Sequence, residues 1–580
     1  MTWRSDARRA LAAGAALFLL PLAPVWAQPQ SNPGAPPAPT PEASKREPTA
    51  QPQDQAGTAK FSARSELVLV PVVVVDKSNA AVLHLSKEDF RVFENGQEQT
   101  IKVFEEAHSE ETRVTRPLPP KNEYTNSLTS DTTPRRLEII VFDTVNTPFL
   151  DQAYAREQLV EYLARNVQPG TLVSLLVINW HGLRVVHDFT TDTSVLIAAL
   201  RKLSATKGLT EQIGSSQAPS AGSLAAATEM QAMRDFVAGG DTEIANHRQE
   251  LAIDTTLQAF ESIAQAYAGV PGRKALLWAT GGVPFRVDPD DWASRNRDFA
   301  YLYEHALHSL NAANIALYPV DARGLVVVGL PDASAGPSFG PGFGRGSVQG
   351  GLSRALRSQW DLISTMKMLA DMTGGRAFYN RNDISTAFEE ARRESSVYYM
   401  LGYYLDPADT APGWRKLRVE VLRKGVHARC RSGFFVTQAP ADPEAARRTD
   451  IAQALQSPLE YTSLPVTLRW TGTEIRGEKR RVRFEAVLPP NTATVDEDDG
   501  NHVSLEFIAV ARNDKGDDAT HFDQNFEARL KPGAVAQIRT SGVTYRNLLE
   551  LAPGEYLVRL VVRDTLSGRV GSVSAPLKVE

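Results

Sequence analysis

Cysteine is nearly absent: Cys430 is the only one in 580 residues, so no intramolecular disulfide can form and each folded region must be held by its own apolar core. Long apolar runs are missing after residue 27, which excludes a bilayer-spanning helix from the rest of the chain. Charge of one sign is not in excess either. With 63 Lys and Arg against 68 Asp and Glu, the formal charge is -5 and the pI near 6.1, which leaves no basic stripe for nucleic acid. Catalytic signatures are lacking too. There is no Gly-x-Ser-x-Gly elbow. Glu304-His305-Ala-Leu-His308 spaces two histidines one helical turn apart without the glutamate placement of a zinc-protease helix, and reads as a solvated face. Asp496-Glu-Asp-Asp-Gly500 opens like a calcium loop but has Phe507 where the closing glutamate should fall, so it reads as a charged hairpin tip. Cys430 lies in a strand pattern with only His427 close by, as an inert thiol does.

What is present is modular. Arg4, Arg8 and Arg9, the apolar stretch Ala10 to Leu22, and Val25-Trp-Ala27 before Gln28 have the pattern of a cleaved secretory signal peptide over 1–27. The chain is therefore expected to be exported, to the periplasm or the extracellular space, with no membrane span after cleavage. No cysteine follows the cut to carry a lipid. Residues 28–60 are rich in Pro and Gln and too poor in large apolar side chains to fold, which describes a disordered linker. Over 61–107 the runs Leu67 to Val75, Asp89 to Gly96 and Gln99 to Glu105 read as strands, the second closing on an Asn-Gly turn.

From 136 to 396 strands and helices alternate. Strands are expected at Leu137 to Asp143, Leu172 to Asn179, Leu183 to Phe189, Lys274 to Ala279, Ile315 to Val320 and Arg376 to Tyr379, with helical spacing between most of them. That alternation is the pattern of an α/β, Rossmann-like doubly wound sheet. It is interrupted by insertions at 204–248 and 329–351. A second β region follows over 397–437, a link over 438–463, and a C-terminal β-sandwich over 464–580. The β regions at 61–107 and 397–437 are each too small to bury a full core, so a single sandwich built from both, with the α/β domain inserted between them, is expected.

The run Leu137-Glu-Ile-Ile-Val-Phe-Asp143-Thr144-Val145-Asn146-Thr147 delivers a carboxylate and hydroxyls to the end of a buried strand, where ligands sit in open parallel sheets. In order along the chain come Asp89-Phe-Arg-Val-Phe-Glu-Asn-Gly96, this run, Pro271-Gly-Arg-Lys-Ala-Leu-Leu-Trp278, Tyr318-Pro-Val-Asp-Ala-Arg-Gly324, Thr373-Gly-Gly-Arg376 and Tyr398-Tyr-Met-Leu-Gly-Tyr-Tyr404. Together these segments resemble the bacterial VWFA-related family described from acidobacteria, whose central unit is a von Willebrand factor A (vWA) domain. The resemblance implies a metal-ion-dependent adhesion site drawn from three loops: an Asp-x-Ser-x-Ser turn, a Thr and a later Asp. Carried over residue by residue, Asp143 keeps the first place. Val145 stands at the first Ser position and Thr147 at the second. Thr255 or Thr256 supplies the second-loop hydroxyl, and Gly281 stands where the third-loop Asp would be.

The implied site is thus degenerate, with metal ligands Asp143, Thr147 and Thr255. A hard cation wants several oxygens, so Mg2+ or Mn2+ would bind weakly there. Asn146 or Asp254 could supply a further oxygen. Otherwise Asp143 caps the following helix or hydrogen-bonds within its turn. No cofactor and no catalytic residue are expected. The functional expectation is an exported, non-enzymatic protein mediating protein–protein interaction or adhesion, with an unidentified protein partner. The alternatives are a metal-assisted hydrolase using Asp143, or a structural envelope module.

Overall fold

All seven residues of the strand Leu137–Asp143 are buried, which is why the run carries no polar alternation. Its even and odd positions feed two different cores. Ile139 and Val141 face one set of helices, Ile140 and Phe142 the other. The computed structural model that shows this describes residues 67–108, 120–127, 137–167, 171–203, 226–282, 297–324, 360–381, 383–406, 411–436 and 442–580. The expected signal peptide, the 28–60 linker, the 329–351 insertion and the first part of the 204–248 insertion lie outside the described residues.

The chain is a multi-sheet α/β protein. Its central sheet has five strands in the order Ile315–Asp321, Lys274–Thr280, Leu137–Asp143, Leu172–Asn179, Gly182–Thr190. The first four run parallel and the edge strand Gly182–Thr190 is antiparallel. It returns through a turn in which Gly182 takes φ +98°, a conformation open to glycine. On one face pack the helices Ala226–Tyr267 and Arg297–Ala312 and the helix over 360–373. On the other pack Phe149–Arg165, Thr193–Lys202 and Ile384–Ser396. Asp192 and Asp383 start two of these helices by accepting the backbone N–H groups of Ser194 and Thr386.

Two expectations change here. The helix Ala226–Tyr267 begins inside the expected 204–248 insertion, so the second part of that insertion is helical backbone. The strand expected over Arg376 to Tyr379 shrinks to a single bridge between Phe378 and Val320. Phe378 donates to Pro319 O (2.8 Å) and accepts from Asp321 N (2.8 Å), but Pro319 has no N–H with which to continue the ladder.

Strands from either side of this unit pair with one another. Leu67–Asp76 lies between Val397–Tyr404 and Val426–Arg429, and Val103–His108 pairs with the far edge of Val397–Tyr404. Facing them, Gly413–Val421 pairs with Phe90–Glu94 and Gly433–Val436. Val70, Val72, Phe90, Val92, Tyr399 and Leu401 fill the space between the two sheets.

The C-terminal region forms another pair of four-stranded sheets. One orders Val543–Leu551, Lys479–Leu488, Thr467–Arg476 and Glu123–Thr125; the other orders Asp518–Arg529, His502–Asn513, Gly554–Asp564 and Val570–Val579. Glu123–Thr125 lies between the β region at 61–107 and the α/β unit that starts at 136, where no strand is expected. It is pinned by buried Asn126, which donates to Tyr461 O (2.6 Å) and Leu464 O (2.9 Å) and accepts from Val466 N (2.8 Å). The helix Pro443–Gln456 joins this region to the central unit, with Ala454, Ile508 and Val561 packed into the same core as Ile263 and Leu310. Among the described residues no helix is long and apolar enough to cross a membrane.

Candidate functional site

Asp143 ends the middle strand of the central sheet, and the chain leaves it through a four-residue turn before Pro148 and the helix Phe149–Arg165. The turn curls back on its own carboxylate. Oδ1 accepts from the backbone N–H groups of Val145 (3.0 Å) and Asn146 (3.0 Å). Oδ2 accepts from Asn146 Nδ2 (2.8 Å), Trp278 Nε1 (3.1 Å) and Thr280 Oγ1 (2.9 Å). Five donors thus saturate a side chain with no exposed surface. Burial raises the Asp143 pKa above its ordinary value, and the hydrogen bonds from Asn146, Thr280 and Trp278 pull in the opposite direction.

Asn146 is the hub of the network. Besides Asp143 it donates to Thr256 Oγ1 (2.9 Å), whose own hydroxyl donates to Ala252 O (2.7 Å). The second-loop hydroxyl in contact with this turn is therefore that of Thr256, and the implied assignment to Thr255 moves by one residue; Thr255 is half-buried on the same helix. Asp254 is engaged along its helix by Gln258 Nε2. Thr147 Oγ1 accepts from Gly281 N (3.0 Å), and Gln152 Nε2 donates to Thr147 O (2.9 Å), so the turn is clamped from both sides.

Gly281 explains the closure. A Cβ at this position would stand 2.5 Å from Asn146 O and about 3.1–3.2 Å from Pro148 and Thr147. The third loop packs directly onto the backbone of the first, and no side chain fits between them. Val145, half-buried, packs toward the apolar core below. A divalent cation does not fit the residues present. Asp143 has no oxygen left to offer, the Thr147 hydroxyl is turned to Gly281 N–H, and the donor types facing Asp143 are N–H and O–H groups that a cation would repel. Among the described residues no cluster of three His, Cys, Asp or Glu side chains could hold a metal.

Beyond the closed turn the same end of the sheet carries a second polar pair. Asp321, at the end of its strand, is nearly fully buried and held by Arg323 through Nε (2.9 Å) and Nη2 (2.8 Å). Asp151, in the first turn of the helix Phe149–Arg165, has its pKa raised, chiefly by burial. Two large apolar side chains stand out in solvent nearby. Leu150, in the first turn of the helix after Asp143, is 79% exposed, and Trp360 is 66% exposed. Trp360 lies two residues before Leu362, whose side chain abuts Gly282.

The other sequence candidates separate from this site. His305 is not on a solvated face: its Nδ1 lies 2.8 Å from Glu261 Oε1 on the neighbouring helix, while His308 faces Phe435 O at 3.4 Å. The acidic run at Asp496 is a turn in which Arg529 is bonded to Asp499 and Arg539 to Glu497, while Asp496 Oδ1 accepts from the backbone N–H of Asp498 (3.1 Å). Desolvation pushes the Cys430 thiol up to about 11. Trp278 and Thr280 were missed as partners of Asp143. Alternation places both on the same face of the adjacent strand, and a buried tryptophan needs an acceptor, so a signal existed.

No protein-family model matches the chain, and no curated protein matches it. Among solved structures, the ArnB paralog VWA2 from Sulfolobus acidocaldarius aligns over 89% of this chain and 75% of its own, with 8% identity and a TM-score of 0.19. A Bacteroides fragilis protein described as a beta-galactosidase aligns over 32% of this chain, with 12% identity and a TM-score of 0.15, and the chain spans 24% of its length. At such TM-scores neither likeness bears on fold or function.

Proposed function

We propose that the chain is an exported, non-enzymatic binding protein whose vWA-like, doubly wound central unit engages a protein partner without a metal ion. Counted along the chain, the sheet order is 3-2-1-4-5, the doubly wound order in which winding reverses beside the first strand and ligands bind beyond the strand ends. Asp143, Thr280 and Gly281 occupy that reversal point. The observation that carries the reading is the exposure of Leu150 and Trp360 beside a turn sealed by its own hydrogen bonds. Exposed aromatic and aliphatic side chains suit recognition by a protein surface. A hydrolase centred on Asp143 would need that carboxylate open to substrate, and five protein donors occupy it.

Two measurements test the reading. Calorimetric titration with Mg2+ or Mn2+ should give no saturable heat, in the native protein or in Asp143→Ala. Capture of a partner from envelope extract should proceed equally in magnesium and in chelator, and should be lost with Leu150→Asp combined with Trp360→Ala. A chelator-sensitive capture, or one indifferent to both substitutions, would falsify the proposal.

A further inference from the structure

The C-terminal sandwich is open at one end. Tyr124 stands opposite Leu468, Trp470 lies two residues further along that strand, and Tyr556 stands opposite Leu577. Alternation puts Trp470 on the face of the buried Leu468 and Tyr556 on the face of the buried Val558, so these rings belong to the inner faces of the two sheets. Yet none of the three is buried; each is half-exposed around a cavity of about 800 Å³. Asn513, Asp514 and Glu555 also line it.

The rings are held in place before any ligand arrives. Trp470 packs edge-on against Phe484, with centroids 6.2 Å apart and planes at 78°. Tyr556 donates its hydroxyl to Ala552 O (3.1 Å), and Gly554, at φ +158°, lies against its ring where a Cβ would come within 3.3 Å. Tyr124 is fixed by the short strand that Asn126 pins. Trp470 Nε1 is shielded from solvent and has no acceptor.

From this geometry we infer that the cavity binds an oligosaccharide. A pyranose presents an apolar C–H face that stacks on aromatic rings and an edge of hydroxyls that pairs with amide and carboxylate groups. The cavity offers both: Tyr124, Trp470 and Tyr556 as platforms, and Asp514, Glu555 and Lys578, the last 3.9 Å from Glu555, as polar partners; the Asn513 amide is taken up in its own turn by Lys515 and Asp517. Because the platforms are fixed beforehand, little conformational freedom is lost on binding. This site is separate from the sheet end that carries the protein-binding proposal and does not depend on it.

The test is calorimetric titration of the full chain with soluble oligosaccharides of glucose and of N-acetylglucosamine. Saturable binding is expected to at least one series. Trp470→Ala should weaken it by at least about tenfold. Asp514→Asn with Glu555→Gln, both on exposed residues, should weaken it with the melting temperature unchanged. Absence of binding to both series at millimolar concentration overturns the inference. So does binding that is indifferent to Trp470→Ala and to the carboxylate pair, and so does capture of an extended peptide at these residues in place of any saccharide.

Discussion

A carboxylate can be buried for chemistry or for architecture, and the count of donors around Asp143 decides between them. A ligand-binding Asp keeps at least one oxygen for its guest. Asp143 spends both on Val145, Asn146, Trp278 and Thr280, so it organises the turn as a cap organises a helix start. Asp143→Asn should therefore be damaging although it removes a buried charge. Its amide must turn an N–H2 toward either the two backbone donors or the Asn146 and Trp278 donors, leaving them unpaired. The expected loss is about 2–4 kcal/mol in denaturant unfolding, and Asp143→Ala should lose at least as much. A loss of less than about 0.5 kcal/mol for both would mean that the network contributes nothing to stability.

Loops make the same point at the level of elements. The turn after Asp143 and the loop after Thr280 touch backbone to backbone, and Gly281 is the contact. Restoring the aspartate that the family resemblance implies should not restore a metal site. Gly281→Asp must push Asn146 O and Pro148 apart, at a cost of about 1–3 kcal/mol, and its carboxylate would enter a space already filled. The expected outcome is a lower melting temperature with no Mg2+ response in calorimetry. A Gly281→Asp variant that gained Mg2+ affinity would show that the turn opens readily. Edge chemistry also explains the shortened strand at Phe378, since Pro319 withholds the donor that a longer ladder requires.

The units of the molecule are joined through charge as well as apolar packing. His305 and Glu261 lie on adjacent helices of the central unit, Asp450 on the helix Pro443–Gln456, and Arg563 on a strand of the C-terminal sandwich, 3.5 Å from Asp450. Hydrogen bonding to Glu261 raises the His305 pKa above its ordinary 6.5 against the pull of burial, and Asp450 adds to the rise. A group whose pKa is raised on folding stabilises the fold fully below its unfolded value, and that contribution disappears as pH climbs through the folded value. Native protein should therefore lose stability relative to His305→Gln as pH rises from below 6.5 through the raised folded value. Unfolding curves of the two proteins across that range check this; a difference independent of pH would exclude the His305–Glu261 pair as its source.

Much of this molecule can be read from local pattern. The buried run at Leu137–Asp143, the alternation of strands and helices after it, and the β character of both flanks follow from apolar periodicity and turn residues, which neighbours in sequence control. Asp143 and Thr147 could be singled out for the same reason. Long-range proximity could not be read so directly. That Asn146 would join Asp143 to Thr256, that Gly281 would lie against the Asn146 backbone, and that Glu123–Thr125 would complete a sandwich more than 300 residues downstream depend on which loops close against each other. Closure is set by packing of whole elements, and it converts the residues that resemble a metal site into a sealed turn.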